Sequence, residues 1–302
     1  MRYERLLSLA RGLAPVRTAV VHPCDAESLR GAVAAAAARL IVPVLVGPRR
    51  KILRAAAAAR VDVSRFALVD APHSHAAAAQ AVELARRGSV GALMKGSLQT
   101  HELMEQVVAA QSGLRTERRM SHVFAMGVPK LGRTLFITDA ALNVYPDLGQ
   151  KRDILQNAVD FVRVLGVRMP RVAILSAVET VTERMPSTLD AAALCKMRDR
   201  GQITGCIVDG PLAFDNALSR SAARAKHIVS PVAGRADILV VPDLEAGNML
   251  AKELQYLANA RSAGIVLGAR VPIVLTSRAD SADSRRVSCA MALLLARHAG
   301  SP

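Results

Sequence analysis

The sequence predicts an α/β protein with mainly parallel sheets shared between two domains. Three observations carry this. Short β-rich runs alternate with helical stretches from end to end, which is the rhythm of successive βα units. The chain has 302 residues, of which 51% are hydrophobic, enough to bury two α/β cores. The alanine runs at 34–38 and 55–59 lie between apolar strands and have the highest helix propensity, so they read as helices rather than linkers.

The predicted strands of the first half are 17–21, 41–46, 66–69, 90–94, 122–126 and 135–138; those of the second half are 171–175, 203–208, 237–241, 264–267 and 271–276. Each is a short β-branched or aliphatic run bounded by turn residues. Asp25 starts a helix that runs to Arg39, and Pro48 starts one over residues 49–60. No Gly/Ser- or Pro-rich linker divides the chain. The turn residues Asn143, Pro146, Asp147 and Gly149 place a domain crossover near 139–149.

Composition excludes several classes. The net charge of +15 invites a nucleic-acid reading, but Arg supplies 33 of the 40 basic residues, and these are spread along the chain. Three Tyr, five Phe and no Trp leave little to stack on bases, so no nucleic-acid partner is expected. The positive field suits small anionic substrates instead. The cysteines Cys24, Cys195, Cys206 and Cys289 form no CxxC pair and read as reduced thiols. With no long apolar run and no apolar stretch at the start, a soluble, untargeted, cytoplasmic protein with no membrane partner is expected.

In open α/β sheets, ligands sit beyond the carboxyl ends of the strands. The residues following the predicted strands are Lys95 with Ser97, Asp139, Ser176 with Glu179, Asp209, Asp243 with Glu245, and Ser277 with Arg278 and Asp280. TSRADS, residues 276–281, links an apolar strand to a helix; free N–H groups there and the Arg278 fork favour an anion, with Asp280 and Asp283 nearby as candidate bases for a thiol. The same pattern also makes a plain helix cap. LMKGS, residues 93–97, repeats this design with Lys95, Gly96 and Ser97; Lys95 reads either as a phosphate ligand or as a solvated loop lysine. Asp209, Asp215, Asn216, Asp243, Glu245 and Asn248 line a cleft or simply form turns. Walker A, GxGxxG, GxSxG, HExxH and EF-hand patterns are all missing, so no metal site and no covalent acyl-enzyme are indicated.

Together these segments resemble the phosphate acetyl/butyryltransferase family, from about Arg17 to His298. The resemblance rests on LMKGS at 93–97, GLRTERRMSHV at 113–123, LFITDAALN at 135–143, ILSAVE at 174–179, DGPLAFDNALS at 209–219, PDLEAGN at 242–248 and TSRADS at 276–281. The wording is most similar to the butyryltransferase-like branch, related to the transferase part of bifunctional enoyl-CoA hydratase/phosphate acetyltransferases.

That resemblance implies two α/β domains across a cleft, an architecture shared with isocitrate and isopropylmalate dehydrogenases. The first would comprise residues 1–138 plus 276–302, and the second, inserted domain residues 139–275. The implied activity is reversible transfer of an acetyl or butyryl group between coenzyme A and inorganic phosphate, giving acyl phosphate. It would need no cofactor beyond the substrates and would be carried by a homodimer. Ser277 and Arg278 match the family's Ser-Arg pair that orients the acyl phosphate. The family's base position holds Ser284 here, which leaves Asp280 or Asp283 for that role; its phosphate-binding Arg is replaced by Glu105, with Lys95, Arg115 or Arg118 to supply the charge. Two other readings remain at this point: a metal- and NAD-dependent dehydrogenase on the same fold, and a non-catalytic paralogue that binds coenzyme A.

Overall fold

The computed structural model describes residues 1–277 and 280–299. Along the chain the elements are α1 (Arg5–Leu9), β1 (Val16–Val21), α2 (Ala26–Ala37), β2 (Ile41–Gly47), α3 (Arg49–Ala59), β3 (Ala67–Asp70), α4 (Ser74–Arg86), β4 (Ala92–Lys95) and α5 (Thr100–Val108). Next come β5 (Ser121–Gly127), β6 (Thr134–Thr138), α6 (Leu148–Val164), β7 (Arg171–Leu175), α7 (Pro186–Asp199), β8 (Ile207–Leu212), α8 (Phe214–Leu218) and α9 (Arg220–Ala225). The chain ends with β9 (Ile238–Val240), α10 (Leu244–Tyr256), β10 (Arg261–Leu267), β11 (Ile273–Val274) and α11 (Ala282–Ala299).

Two compact units result. One holds Glu4–Arg118 and Ala263–Pro302, the other Met1–Tyr3 and Arg119–Ser262. The divisions fall earlier than the expected 138/139 and 275/276. Pairing explains the difference: β6 joins β5 and β9 in the middle unit, whereas β11 lies between β4 and β10 in the other.

In the unit that begins at Glu4, strands run in the order β3-β2-β1-β4-β11-β10. All are parallel except β10. β1, β4 and β11 are central and mainly apolar in their buried positions (Val20, Val21, Leu93, Met94, Ile273 and Val274), with Thr18 and Lys95 the buried polar exceptions, as expected for parallel strands covered on both faces. Start signals hold the helices in place. Asp25 accepts from Ser28 N at 2.7 Å at the head of α2, and Glu102 in the first turn of α5 accepts from Gln99 N at 2.7 Å. Each bond satisfies an N–H that the helix itself leaves unpaired.

The middle unit orders its strands β5-β6-β9-β7-β8, parallel except for the β5–β6 pair. Its core gathers Met126, Leu135, Ile137, Leu175 and Leu239. One predicted strand is displaced here. Residues 203–208 read as a strand, but β8 runs from Ile207 to Leu212, through Gly210-Pro211. β8 is an edge strand, so a proline without an N–H is tolerated. A Cβ on Gly210 would lie 2.8 Å from the Ile174 carbonyl oxygen, so only glycine allows β7 this close. Among the described residues no helix is long and apolar enough to cross a membrane.

Candidate active site

The order β2-β1-β4 contains a topological switch point: β1 connects through α2 to β2 on one side, while β4 lies on its other side. Chain segments leaving neighbouring strands in opposite directions open a crevice at their carboxyl ends, where ligands bind in such sheets. The register pairs Val21 with Lys95 and Met94 with Val274, so the ends of β1, β4 and β11 lie side by side.

Lys95, Gly96 and Ser97 all sit at that edge. Lys95 is the last residue of β4 and is buried, with 4% of its surface exposed, so the alternative of a solvated loop lysine does not hold. Gly96 N donates to the Val21 carbonyl at 2.9 Å, and a Cβ on Gly96 would fall 2.4 Å from that oxygen. Glycine is therefore required by close approach of two backbones. Ser97 N and Oγ donate to the His22 carbonyl at 3.0 and 2.7 Å, and Cys24 N donates to Ser97 Oγ at 3.1 Å. The turns after β1 and β4 are thus stitched together by one serine.

His22 and its surroundings escaped the sequence reading, although the rule that selected Lys95 applies equally to the residue after β1. His22 holds a left-handed backbone at φ 53°. Burial first, and then the charge of Lys51, push its imidazole below the ordinary value of 6.5, against weaker opposition from Glu102 and Asp25. Glu102 in turn accepts from Ser74 Oγ, and His75 Nδ1 lies 3.2 Å from its carboxylate, which joins the starts of α4 and α5. Burial pushes the Cys24 thiol up to about 11, so it stays protonated and is no nucleophile.

Beyond β11, Thr276 is buried and Ser277 half-buried. Ser277 N donates to Asp280 Oδ2 at 2.6 Å, and Asp280 N returns a bond to the Ser277 carbonyl at 3.2 Å. Arg278 lies outside the described residues. Asp283, in the first turn of α11, pairs with Arg286 at 2.6 Å on a partly exposed face. Ser284 N donates to Ser281 Oγ at 3.1 Å, so Ser281 caps α11.

Arg115 does not join this edge. Its backbone bridges to Ala269, just after the end of β10. Because β10 is antiparallel to β11, that point lies at the amino ends of the parallel strands, opposite Lys95. Asp209, Asn216 and Asn248 belong to the middle unit. Asp209 lies inside the edge strand β8 rather than after it, its Oδ1 accepting from Gly210 N at 2.9 Å. Asn216 is fully buried and donates to Glu179, which also pairs with Lys226 at 2.7 Å. Asn248 donates to the Ala140 carbonyl at 3.1 Å. Asp139, at the end of β6, accepts from Ala141 N, Leu142 N and Asn143 Nδ2, and burial raises its carboxyl above the usual range despite these donors.

The family model for phosphate acetyl/butaryl transferase matches residues 74–293. A phosphate acetyltransferase of Rhizobium meliloti is 62% identical over 295 residues, covering 98% of this chain and 93% of the relative. Among solved structures, a branched-chain phosphotransacylase from Enterococcus faecalis superposes with a TM-score of 0.81 at 30% identity, over 93% of this chain and 99% of that one. A 4-hydroxythreonine-4-phosphate dehydrogenase from Klebsiella pneumoniae gives a TM-score of 0.57 at 14% identity, over 95% of this chain and 100% of that one. At that identity the likeness shows a shared dehydrogenase-type fold and nothing of activity.

Proposed function

The chain belongs to the phosphate acetyl/butaryl transferase family and is a phosphate acyltransferase, and from that premise we propose that Lys95, Gly96, Ser97, Ser277 and Asp280, together with Arg278, carry its reaction. One observation bears the activity itself: 62% identity to a phosphate acetyltransferase across 98% of the chain. The same relative makes acetyl the first acyl group to try. The dehydrogenase reading rests on fold alone and is not favoured.

The reaction is acyl-CoA plus phosphate giving acyl phosphate plus coenzyme A, reversibly. A phosphate oxygen attacks the thioester carbonyl carbon, the carbonyl oxygen takes up negative charge, and the C–S bond breaks as the thiolate leaves and gains a proton. In the reverse direction the thiol must lose that proton, and we assign Asp280 as the base. Fixed donors aimed at the developing charge supply the largest share of such catalysis. In this proposal Lys95 offers a point charge for phosphate, while Ser277 offers a hydroxyl and Arg278 a planar fork for the acyl phosphate. The bond from Ser277 N to Asp280 supports the reading, because a fixed backbone at Ser277 leaves its hydroxyl less to reorganise.

Coenzyme A and phosphate are the substrates of this proposal, and no resident cofactor or metal takes part. A homodimer working in the cytoplasm completes it. The decisive assay mixes protein with acetyl-CoA and follows free thiol: release only when phosphate is added is the expected result. Thiol release without phosphate, or none with it, sinks the reading. Sedimentation of the full chain checks the dimer.

A further inference from the structure

Arg285 lies in the second turn of α11 with only 2% of its surface exposed. A buried guanidinium is costly unless its donors are used. Here Nη1 donates to Thr276 Oγ1 at 3.1 Å and Nη2 to the Ser277 carbonyl at 3.0 Å. The fork therefore grips the last two residues of the chain before Arg278. Ser277 is held from two directions, its N–H by Asp280 and its carbonyl by Arg285.

The helix opposite makes room for this arrangement. α2 packs against α11, and Gly31 faces the Arg285 stem. A Cβ on Gly31 would lie 2.4 Å from Arg285 Cδ, with Cβ and Cγ of the arginine at 3.2 and 3.3 Å. A helix-interior glycine weakens its helix relative to alanine. At this point the missing methyl is the space through which the arginine reaches the Ser277 turn.

We propose that Arg285 is a positioning residue for Ser277, acting through the turn and without touching substrate, with Gly31 as its steric partner. This rests on the reading that Ser277 meets the acyl phosphate. Lysine cannot reproduce the role, because a single ammonium on a flexible stem does not span two acceptors in a fixed plane. Displacing a reacting group by about 1 Å costs up to roughly a hundredfold in rate, and that sets the scale of the effect.

The test compares Arg285→Lys, Gly31→Ala, Ser277→Ala and the two doubles with Ser277→Ala in the full chain. The readout is phosphate-dependent thiol release from acetyl-CoA, down to residual rates. Arg285→Lys is expected to lower kcat about ten- to a hundredfold with KM for acetyl-CoA unchanged, the mark of an interaction made in the transition state. Gly31→Ala, which leaves every charge in place, gives the same kind of loss by crowding the stem. In the Ser277→Ala background neither change slows the enzyme further. If Ser277→Ala alone turns over at the wild-type rate, the underlying reading fails. If Ser277→Ala is impaired but the Arg285 and Gly31 losses multiply with it, or both single variants run at the wild-type rate, the positioning role is overturned. Should Arg285→Lys fail to fold, Gly31→Ala with its double carries the same comparison.

Discussion

The Ser97 hydroxyl donates to the His22 carbonyl at 2.7 Å while accepting from Cys24 N at 3.1 Å, so one side chain fastens the end of β4 to the turn after β1. Ser97→Ala removes both bonds, while the His22 carbonyl keeps Ser97 N at 3.0 Å and Cys24 N at 2.8 Å, so no polar group is orphaned. Losing hydrogen bonds without orphaning their partners costs about 0.5–1.5 kcal/mol each. The expected outcome is a lower denaturant midpoint with an unchanged m-value, together with weaker phosphate binding, because the crevice loses its brace. Wild-type stability in urea would show that the stitch is dispensable.

Gly96→Ala should be worse than its size implies. The new methyl would press on the Val21 carbonyl, with the His22 carbonyl oxygen 2.8 Å away, and neither is a flexible group that can swing aside. Overpacking of this kind typically costs about 1–3 kcal/mol, and here it pries apart two paired strands. A fall in melting temperature accompanied by loss of activity is expected. A fully active, equally stable variant would contradict the close approach.

His22 gives the stability a pH dependence whose sign follows from its depressed pKa. The unfolded imidazole titrates near 6.5 and the folded one lower, so the unfolded state binds more protons in between. The contribution is complete above about pH 6.5 and is lost as the pH falls through the folded value. Lys51 and His73 push in this direction, while Glu102 and Asp25 oppose it. Urea melts at a series of pH values should show stability declining on acidification, and a smaller decline in His22→Gln. An identical slope in the variant would assign the effect elsewhere.

All four thiols are pushed up by burial, Cys24 and Cys206 to about 11 and Cys195 and Cys289 to about 12. Thiolate is the reactive form, so the native protein at neutral pH should react slowly with a disulfide reagent and release all four thiols only on unfolding. Fast labelling of any one in the native state would contradict its burial. The same slowness keeps the protein's own cysteines from interfering with an assay of free coenzyme A.

Much of this was legible before the structure, and the remainder was hidden for physical reasons. Lys95, Gly96 and Ser97 stand directly after an apolar run, and local pattern alone selects them. His22 has the same credentials, but its importance comes from β1 lying beside β4, a non-local pairing that no local window contains. Asp209 reads as following its strand because Gly210-Pro211 looks like a break, whereas an edge strand accommodates both residues. Arg115 carries the right charge at the wrong end of the sheet, since the reversal of β10 decides which edge it reaches. Arg285 reads as one more basic residue on a helix surface until Gly31 of α2 is brought against it.

Lys95 offers the sharpest separation of binding from folding. It ends β4, buried at the edge where β1 and β11 also terminate, and the proposal has its ammonium meet phosphate there. Lys95→Met keeps most of the apolar stem and removes the charge. A hydrogen bond to a charged group is worth about 1.5–3 kcal/mol, which converts to roughly ten- to a hundredfold. If the ammonium binds phosphate, KM for phosphate should rise by that factor while KM for acetyl-CoA stays near its wild-type value. Raising salt should weaken phosphate binding in the wild type more than in the variant, because the screened attraction is already gone. A variant that melts early yet keeps its phosphate KM would make Lys95 a structural cation, and the phosphate site would then have to be sought at the guanidinium of Arg278.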